Sequence, residues 1–192
     1  MRGSRPLTTT EIVKVSATLG ESRMGVRDQA LFTVGLMTGF RVSELLSLNV
    51  GDVYQYGQIT EAVTVRRSAM KGKGEGRTMR LNRKAQDALS LWITRLTLWG
   101  ADGTTPLFCS RARKRISRVQ AWKVLTQAFT VIQMTGKLGT HCMRKTFAQR
   151  MYAILDNDLV KLQAAMGHKW VTSTTQYLSF NQSDIDSALD SL

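Results

Sequence analysis

Apolar residues recur at helical spacing along most of the chain, and this pattern breaks clearly once, between residues 62 and 81. In that stretch two short segments, 62–67 and 77–81, flank the turn KGKGEG, which predicts a β-hairpin with a basic tip. The other periodic segments have the spacing of helices. The sequence therefore predicts a mainly α fold with a small antiparallel β-sheet, which belongs to the α+β class.

Capping residues mark several of the predicted helix ends. Threonines at 8–10 can cap the first helix, and Gly39 stands where a left-handed residue ends the second. Helices are predicted over 8–19, 26–38, 42–48, 83–99, 117–132, 140–154, 159–166 and 183–189. At 192 residues, of which 43% are hydrophobic, the chain suffices for one compact domain with its own core, or at most for one domain and a small appendage.

The charge of the chain is large and unevenly distributed. It carries 27 Lys and Arg against 14 Asp and Glu, a net charge of +13. Residues 103–155 hold ten basic and no acidic side chains, whereas the segment after Lys169 is acidic. A solubilising surface would be expected to mix both signs, so this field favours a polyanion partner, most often nucleic acid, over a membrane surface.

Several other classes of protein are excluded by what the sequence lacks. No apolar run approaches the roughly 18 residues that span a bilayer, and the N-terminus lacks the apolar stretch of a signal peptide. With only Cys109 and Cys142, we expect a cytoplasmic protein with free thiols rather than a disulfide-stapled one. The sequence contains neither a Walker loop nor a GxSxG elbow, and its two histidines and two cysteines do not form a convincing zinc site.

Two segments place arginines at predicted helix starts. Arg41 follows Gly39, with Glu44 one turn later and able to orient it, although an ordinary surface salt bridge fits this spacing too. His141 and Arg144 fall in the first turns of another helix, where backbone N–H groups and the helix dipole attract phosphate. A satisfied histidine beside a solvated arginine would give the same pattern.

A tyrosine near the C-terminus follows a glycine–histidine pair. Tyr177 lies nine residues after His168. A tyrosine becomes a useful nucleophile only when cationic groups and a general base surround it. Taken alone, a half-buried core tyrosine explains the residue equally well.

Taken together and in order, these segments resemble the catalytic domain of the tyrosine recombinases, the phage integrase family. The segments are TGFRVSELLSL, MKGKGEGRTMRL, HCMRKTFA and the glycine–histidine pair before the tyrosine. They span nearly the whole chain. The residues that match the family's catalytic positions are Arg41, Glu44, Lys71 or Lys73, His141, Arg144, His168 and Tyr177.

The resemblance implies strand exchange on duplex DNA without metal, cofactor or ATP. Tyr177 attacks the scissile phosphate, forms a 3′-phosphotyrosyl link and releases a 5′-hydroxyl, which allows integration, excision or inversion of DNA, as in mobile elements. Arg41 and Arg144 clamp the phosphate, and a hairpin lysine, Lys71 or Lys73, protonates the leaving oxygen. The two histidines hydrogen-bond the phosphate or exchange protons with the tyrosine, and Glu44 orients Arg41 or a histidine.

Family members most often carry a core-binding domain before the catalytic one, and this chain begins at the equivalent of the catalytic domain. We therefore expect one catalytic domain over residues 1–192, either an excised domain or a short recombinase. Its partners are expected to be double-stranded DNA, further copies of the chain (a tetramer on paired sites, a monomer when free) and accessory DNA-bending proteins. A helix in the tail, residues 181–192, is expected to dock on a neighbouring protomer when protomers assemble. Packing against its own domain is the alternative.

The basic side chains outside the catalytic set are expected to contact the DNA backbone. These cations are Arg66, Arg67, Arg77, Arg111, Arg113, Lys114, Arg115, Arg118 and Lys145. Two rival functions stay open: a type IB topoisomerase that relaxes supercoils with the same chemistry, and a DNA-binding regulator that kept the fold but lost cleavage.

Overall fold

The computed structural model describes residues 4–66, 68, 76–168, 171–175 and 189–190. It divides into two compact units, residues 1–147 and 148–192. The helices are α1 (Thr9–Gly20), α2 (Gly25–Thr38), α3 (Val42–Ser47), α4 (Arg83–Leu98), α5 (Arg118–Val131), α6 (His141–Ile154), α7 (Leu159–Met166) and α8 (Val171–Thr175). The strands are β1 (Tyr54–Gln55), β2 (Gln58–Ile59), β3 (Ala62–Val65) and β4 (Arg77–Arg80).

The predicted mainly α fold is confirmed, and the predicted hairpin forms as β3–β4, but the sequence analysis missed a second small sheet. The described residues contain two separate two-stranded sheets, β1–β2 and β3–β4. Strands β1 and β2 have only two residues each, too short to show an alternating pattern in the sequence. Their turn places Tyr56 and Gly57 at positive φ (51° and 81°), the backbone that a tight hairpin requires.

Local sequence signals explain where the helices of the first unit begin and end. The Thr8 side chain accepts a hydrogen bond from the Glu11 N–H, and the Glu11 carboxylate accepts one from the Thr8 N–H. Gly39, at φ 61°, ends α2 in the left-handed conformation that glycine tolerates best. The cap at Thr8 and the stop at Gly39 lie where the sequence predicts them.

The hairpin β3–β4 has a register that puts an arginine on its buried face. Val63 pairs with Met79 and Val65 with Arg77. Both valines are buried, and because directly opposite residues point to the same face of a sheet, Arg77 is buried as well. The lysine-bearing turn of this hairpin, residues 69–75, lies outside the described residues.

The hydrophobic core of the first unit forms around α2, which packs on α1 and α4. Its largest fully buried side chain, Trp92 of α4, donates its indole N–H to the Leu107 carbonyl at 2.7 Å, so this polar group is satisfied. The Leu7 N–H donates to the Thr146 hydroxyl at 2.8 Å and ties the N-terminal segment to α6. Among the residues described, none of the helices combines the length and the apolar character needed to cross a bilayer.

The second unit contains α7 and α8. Asp158 caps α7 by accepting hydrogen bonds from the Val160 and Lys161 N–H groups, and Gly167 ends it at φ 61°. Helix α8 packs against α7. Of the helix predicted over 183–189, residues 183–188 lie outside the part of the chain that the structure describes.

Candidate active site

A sharp turn at residues 38–40 joins α2 to α3. These three residues are buried, and Arg41, which follows them, is partly exposed. Gly39 makes the turn, and a Cβ atom built on it would lie 2.3 Å from Cδ1 of Phe147. No side chain other than hydrogen fits this space without a shift of the aromatic ring. The glycine therefore allows the turn to pack directly against α6.

Arg41 is fixed by a buried carboxylate. Its Nη1 donates to Oε1 of Glu44 at 2.7 Å, and its backbone N–H donates to Oε2 at 2.8 Å. The Glu44 side chain is 1% exposed and that of Arg41 is 22% exposed. The pair is therefore not an ordinary surface salt bridge: one carboxylate holds both the backbone and the guanidinium of Arg41, and one side of that guanidinium faces solvent.

Arg144 reaches the same turn from the first turns of α6. Its Nη1 donates a hydrogen bond to the Gly39 carbonyl, although the two residues are 105 positions apart. The side chain is buried, at 1% exposure for the residue. The two arginines that the sequence singles out thus lie around one three-residue turn.

A third arginine joins this turn. Arg77, the first residue of β4, donates from Nη2 to the Thr38 carbonyl at 2.8 Å, and its Cζ lies 4.9 Å from the centroid of the Phe40 ring. The residue is 6% exposed. Burial and the positive charge of Arg144 lower the pKa of Arg77 to about 9, with Arg41 adding to that effect and the Glu44 carboxylate opposing it.

We call Arg41, Glu44, Arg77 and Arg144 the arginine cluster. Within the described residues it combines three guanidinium groups with one carboxylate. Guanidinium groups match the geometry of phosphate oxygens and are more weakly hydrated than ammonium groups. The cluster has the chemistry of an anion site.

His141 and Cys142 begin α6, next to Arg144. His141 is exposed at the N-terminus of this helix. Cys142 is fully buried, and burial raises the pKa of its thiol to about 12. In the described part of the chain, no group of three or more His, Cys, Asp and Glu side chains has the arrangement of a metal site.

In the second unit, hydrogen bonds hold both the ring and the backbone of His168. Its Nδ1 shares a hydrogen bond of 2.9 Å with the hydroxyl of buried Thr174. Its backbone N–H donates to the Gln163 carbonyl, and the Gln163 side-chain amide donates to the His168 carbonyl at 3.1 Å. The ring rotation of His168 is therefore set by α7 and α8. The predicted nucleophile Tyr177 and the predicted lysines Lys71 and Lys73 lie outside the described residues, as does Arg67.

Most cations predicted for the DNA backbone are exposed. Arg66 is exposed and lies 3.5 Å from a carboxylate oxygen of Asp52. Arg111, Lys114 and Arg118 are exposed too. A shallow cleft beside α3 is lined by Ser43, Ser47, Arg115 and Arg118, among others.

Four members of that predicted set differ from a simple surface cation. Arg77 and Lys145 are each 6% exposed, so neither lies on the exposed surface with the other cations. Arg115 donates to the Leu46 and Leu48 carbonyls and to the Asn49 side chain, so it fastens its loop to the end of α3. Arg113 donates to the Gly100 carbonyl at 2.6 Å.

Sequence reasoning missed the inward position of Arg77 and the support that Thr174 gives to His168. The burial of Arg77 could have been predicted from the strand register, because a residue paired with a valine of the buried strand face must share that face. The contact between Thr174 and His168 could not, because it depends on how two short helices turn around Gly167.

Comparison with solved structures identifies the fold. In fold, the chain is similar to the XerH site-specific recombinase bound to its palindromic difH substrate (TM-score 0.77, 21% identity, 96% of this chain and 51% of that one). It is also similar to the XerA recombinase (TM-score 0.74, 23% identity, 99% and 64%). The fold is that of a tyrosine recombinase catalytic domain.

Sequence comparison defines the family. Residues 5–183 match the model of the phage integrase family, and the chain belongs to this family. It is 32% identical over 187 residues to the tyrosine recombinase XerD of Mycobacterium leprae, covering 90% of this chain and 56% of that protein. It is 27% identical over 186 residues to the type 1 fimbriae regulatory protein FimE of Escherichia coli K12, covering 94% and 88%. The chain thus spans about half the length of the Xer relatives and most of the length of FimE.

Proposed function

We propose that this chain is a site-specific DNA recombinase that cleaves and rejoins duplex DNA through a phosphotyrosine intermediate. The observation that supports this most directly is that Arg41 and Arg144 both lie at the turn around Gly39. The buried Glu44 carboxylate accepts hydrogen bonds from both the backbone N–H and the guanidinium of Arg41. Membership of the phage integrase family supports the same reaction.

In the proposed reaction, the Tyr177 hydroxyl attacks the scissile phosphorus. A bond forms between the tyrosine oxygen and phosphorus, and the bond from phosphorus to the 5′ oxygen breaks. The tyrosine proton passes to His141 or His168, and the leaving 5′ oxygen takes a proton from Lys71 or Lys73. The reverse attack, by a 5′-hydroxyl of another strand, reseals the DNA.

The arginine cluster would stabilise the charge that develops on the nonbridging oxygens. Fixed donors in a site shielded from water lower the barrier because they need no reorganisation during the reaction. The Arg41 side chain is 22% exposed and Arg144 is buried, so the two guanidinium groups differ in their access to a phosphate. Glu44 prevents Arg41 from rotating away.

The proposed partner is double-stranded DNA in the cytoplasm, and the proposed assembly is a tetramer on paired sites that dissociates to monomers when free. Structures of the related lambda integrase include a dimer bound to a core site and a tetramer bound to a Holliday junction. The exposed basic side chains beside α3 suit contact with the DNA backbone. The acidic tail would dock on a neighbouring protomer, and accessory DNA-bending proteins would aid assembly.

A pool of nicked duplexes with randomised sequence tests the proposal and selects the target site at the same time. Cleavage near a nick releases a short fragment and traps the protein on the DNA, and the trapped duplexes are recovered and sequenced. We expect covalent adducts with the wild-type chain and none with Tyr177→Phe, at nearly equal DNA affinity. Tyr152→Phe, a tyrosine of α6, is the matched control and should react normally.

Three outcomes would contradict the proposal. The wild-type chain could form no adduct with any duplex of the pool, which would favour a DNA-binding regulator. An adduct on Tyr177→Phe would assign the nucleophile elsewhere. Relaxation of supercoiled plasmid by the monomer, without exchange between sites, would favour a topoisomerase.

A further inference from the structure

We infer that Arg77 is a positioning residue for the strand-cleavage reaction: it clamps the turn at residues 38–40 and thereby sets where Arg41 and Arg144 meet the phosphate. This inference rests on the proposed function. It assigns to Arg77 a role that neither contact with the DNA backbone nor simple packing describes.

The contacts of Arg77 bracket the glycine at the centre of the turn. Its guanidinium donates to the Thr38 carbonyl on one side and lies over the Phe40 ring on the other. Arg144 holds the carbonyl of Gly39 between them. Each residue of the turn is therefore in contact with a buried arginine, and the next residue along the chain is Arg41.

The burial of Arg77 is difficult to explain by stability alone. A guanidinium removed from water loses hydration, and an apolar residue of similar volume at such a place is often neutral or stabilising. Two further cations, Arg41 and Arg144, lie close enough to lower its pKa. A third positive charge is costly to bury so close to two others, which indicates a role in the site.

The position of Arg77 in the hairpin connects the arginine cluster to β4. Arg77 is the first residue of β4, and its partner Val65 is the last residue of β3. By donating to the Thr38 carbonyl, Arg77 fastens the start of β4 to the end of α2.

The test compares Arg77→Met and Arg77→Lys with Arg80→Met in the full chain. Arg80 is the matched control because it lies on the same strand but is exposed. Two quantities are measured well below the unfolding temperature: the single-turnover rate of covalent adduct formation at saturating duplex, using a nicked duplex recovered from the wild-type protein, and the affinity for that duplex.

We expect Arg77→Met to lower the adduct rate by about 100-fold, the scale for loss of a fixed donor, with affinity changed by less than about threefold. Arg77→Lys should recover part of the rate, because an ammonium keeps the charge but cannot both donate to Thr38 and stack on Phe40. Arg80→Met should react at the wild-type rate. A role limited to stability would lower the unfolding temperature of Arg77→Met and leave the rate of the folded protein unchanged, and that result would overturn the inference.

A second measurement needs no DNA, so it stands even if the wild-type chain forms no adduct. In protein labelled with ¹⁵N-arginine, the Nε–Hε signals of Arg41 and Arg144 are assigned from Arg41→Lys and Arg144→Lys. Both signals should shift in Arg77→Met and stay in place in Arg80→Met. If neither signal moves in Arg77→Met, then Arg77 does not position the other arginines.

Discussion

Arg144 donates a hydrogen bond to the backbone carbonyl of Gly39 and so fastens the start of α6 to the end of α2. The same guanidinium is proposed to bind the scissile phosphate. Substitutions at this position therefore act on the geometry of the site as well as on its charge.

Arg144→Lys should lower the rate of covalent adduct formation by about 10²–10³-fold, because a point charge cannot replace two fixed donors. Arg41→Lys should be impaired to a similar extent, since both arginines are proposed to clamp one phosphate. Single-turnover cleavage of a nicked duplex measures the effect, with circular dichroism as the control for folding. Near-normal cleavage by either lysine variant would exclude the clamping role.

Gly39→Ala should lower the free energy of unfolding by about 2–4 kcal/mol, the sum of a left-handed conformation and an overpacked contact. The added methyl group would lie 2.3 Å from the Phe147 ring. Gly57→Ala is the matched control: it also has a positive φ, but nothing lies within 4 Å of the added atom. It should cost only about 1–2 kcal/mol. Equal losses in urea unfolding would show that Phe147 moves aside freely.

Cys142 should resist alkylation in the folded protein. Burial raises the pKa of its thiol to about 12, so both access and the thiolate fraction are low at neutral pH. Cys109 is also buried, and burial raises the pKa of its thiol. Mass spectrometry after brief iodoacetamide treatment should find both thiols unmodified, and both modified after unfolding in guanidinium. Rapid native labelling of Cys142 would contradict its burial.

Glu11→Gln should make the stability of the protein less sensitive to acid. Two hydrogen bonds from the Arg5 guanidinium, at 2.9 and 2.5 Å, lower the pKa of Glu11 to about 2 from its ordinary 4.5. A lowered pKa stabilises the fold above the ordinary value, and this contribution disappears as the pH falls from 4.5 toward about 2.

Urea unfolding at a series of acidic pH values measures this difference. Glutamine keeps the cap on Thr8, so the variant should lose only about 1 kcal/mol near neutral pH and approach the wild type in acid. Glu21→Gln, at the exposed end of α1, is the control. A constant gap between wild type and Glu11→Gln at every pH would contradict the ion pair.

The exposed basic side chains should govern the salt dependence of DNA binding. Changing Arg111 and Lys114 to alanine should reduce the slope of log affinity against log salt by about 0.9 for each phosphate that the protein no longer neutralises. Their exposure predicts an unchanged unfolding temperature. Arg115→Ala should instead lower stability, because three acceptors at the end of α3 lose their donor. If the salt dependence of affinity is unaltered in the double variant, Arg111 and Lys114 do not contact the DNA backbone.

Local signals in the sequence predicted most of the helices and the residues of the Arg41 and Arg144 motifs. Gly39 ends α2, and Ser117 caps α5. Such helix ends can be predicted because they depend on backbone and side-chain chemistry within one turn. The convergence of distant arginines could not be predicted this way. Whether Arg77 points inward depends on strand register, and whether Arg115 meets DNA or the end of α3 depends on how a loop folds back.

The hydrogen bond between Arg144 and Gly39 joins residues 105 positions apart in the chain. During synthesis the ribosome must release the start of α6 before this bond can form. A chain that ends before α6 therefore lacks this contact. Under the proposed function, DNA cleavage requires a chain that has been synthesised and folded past residue 144.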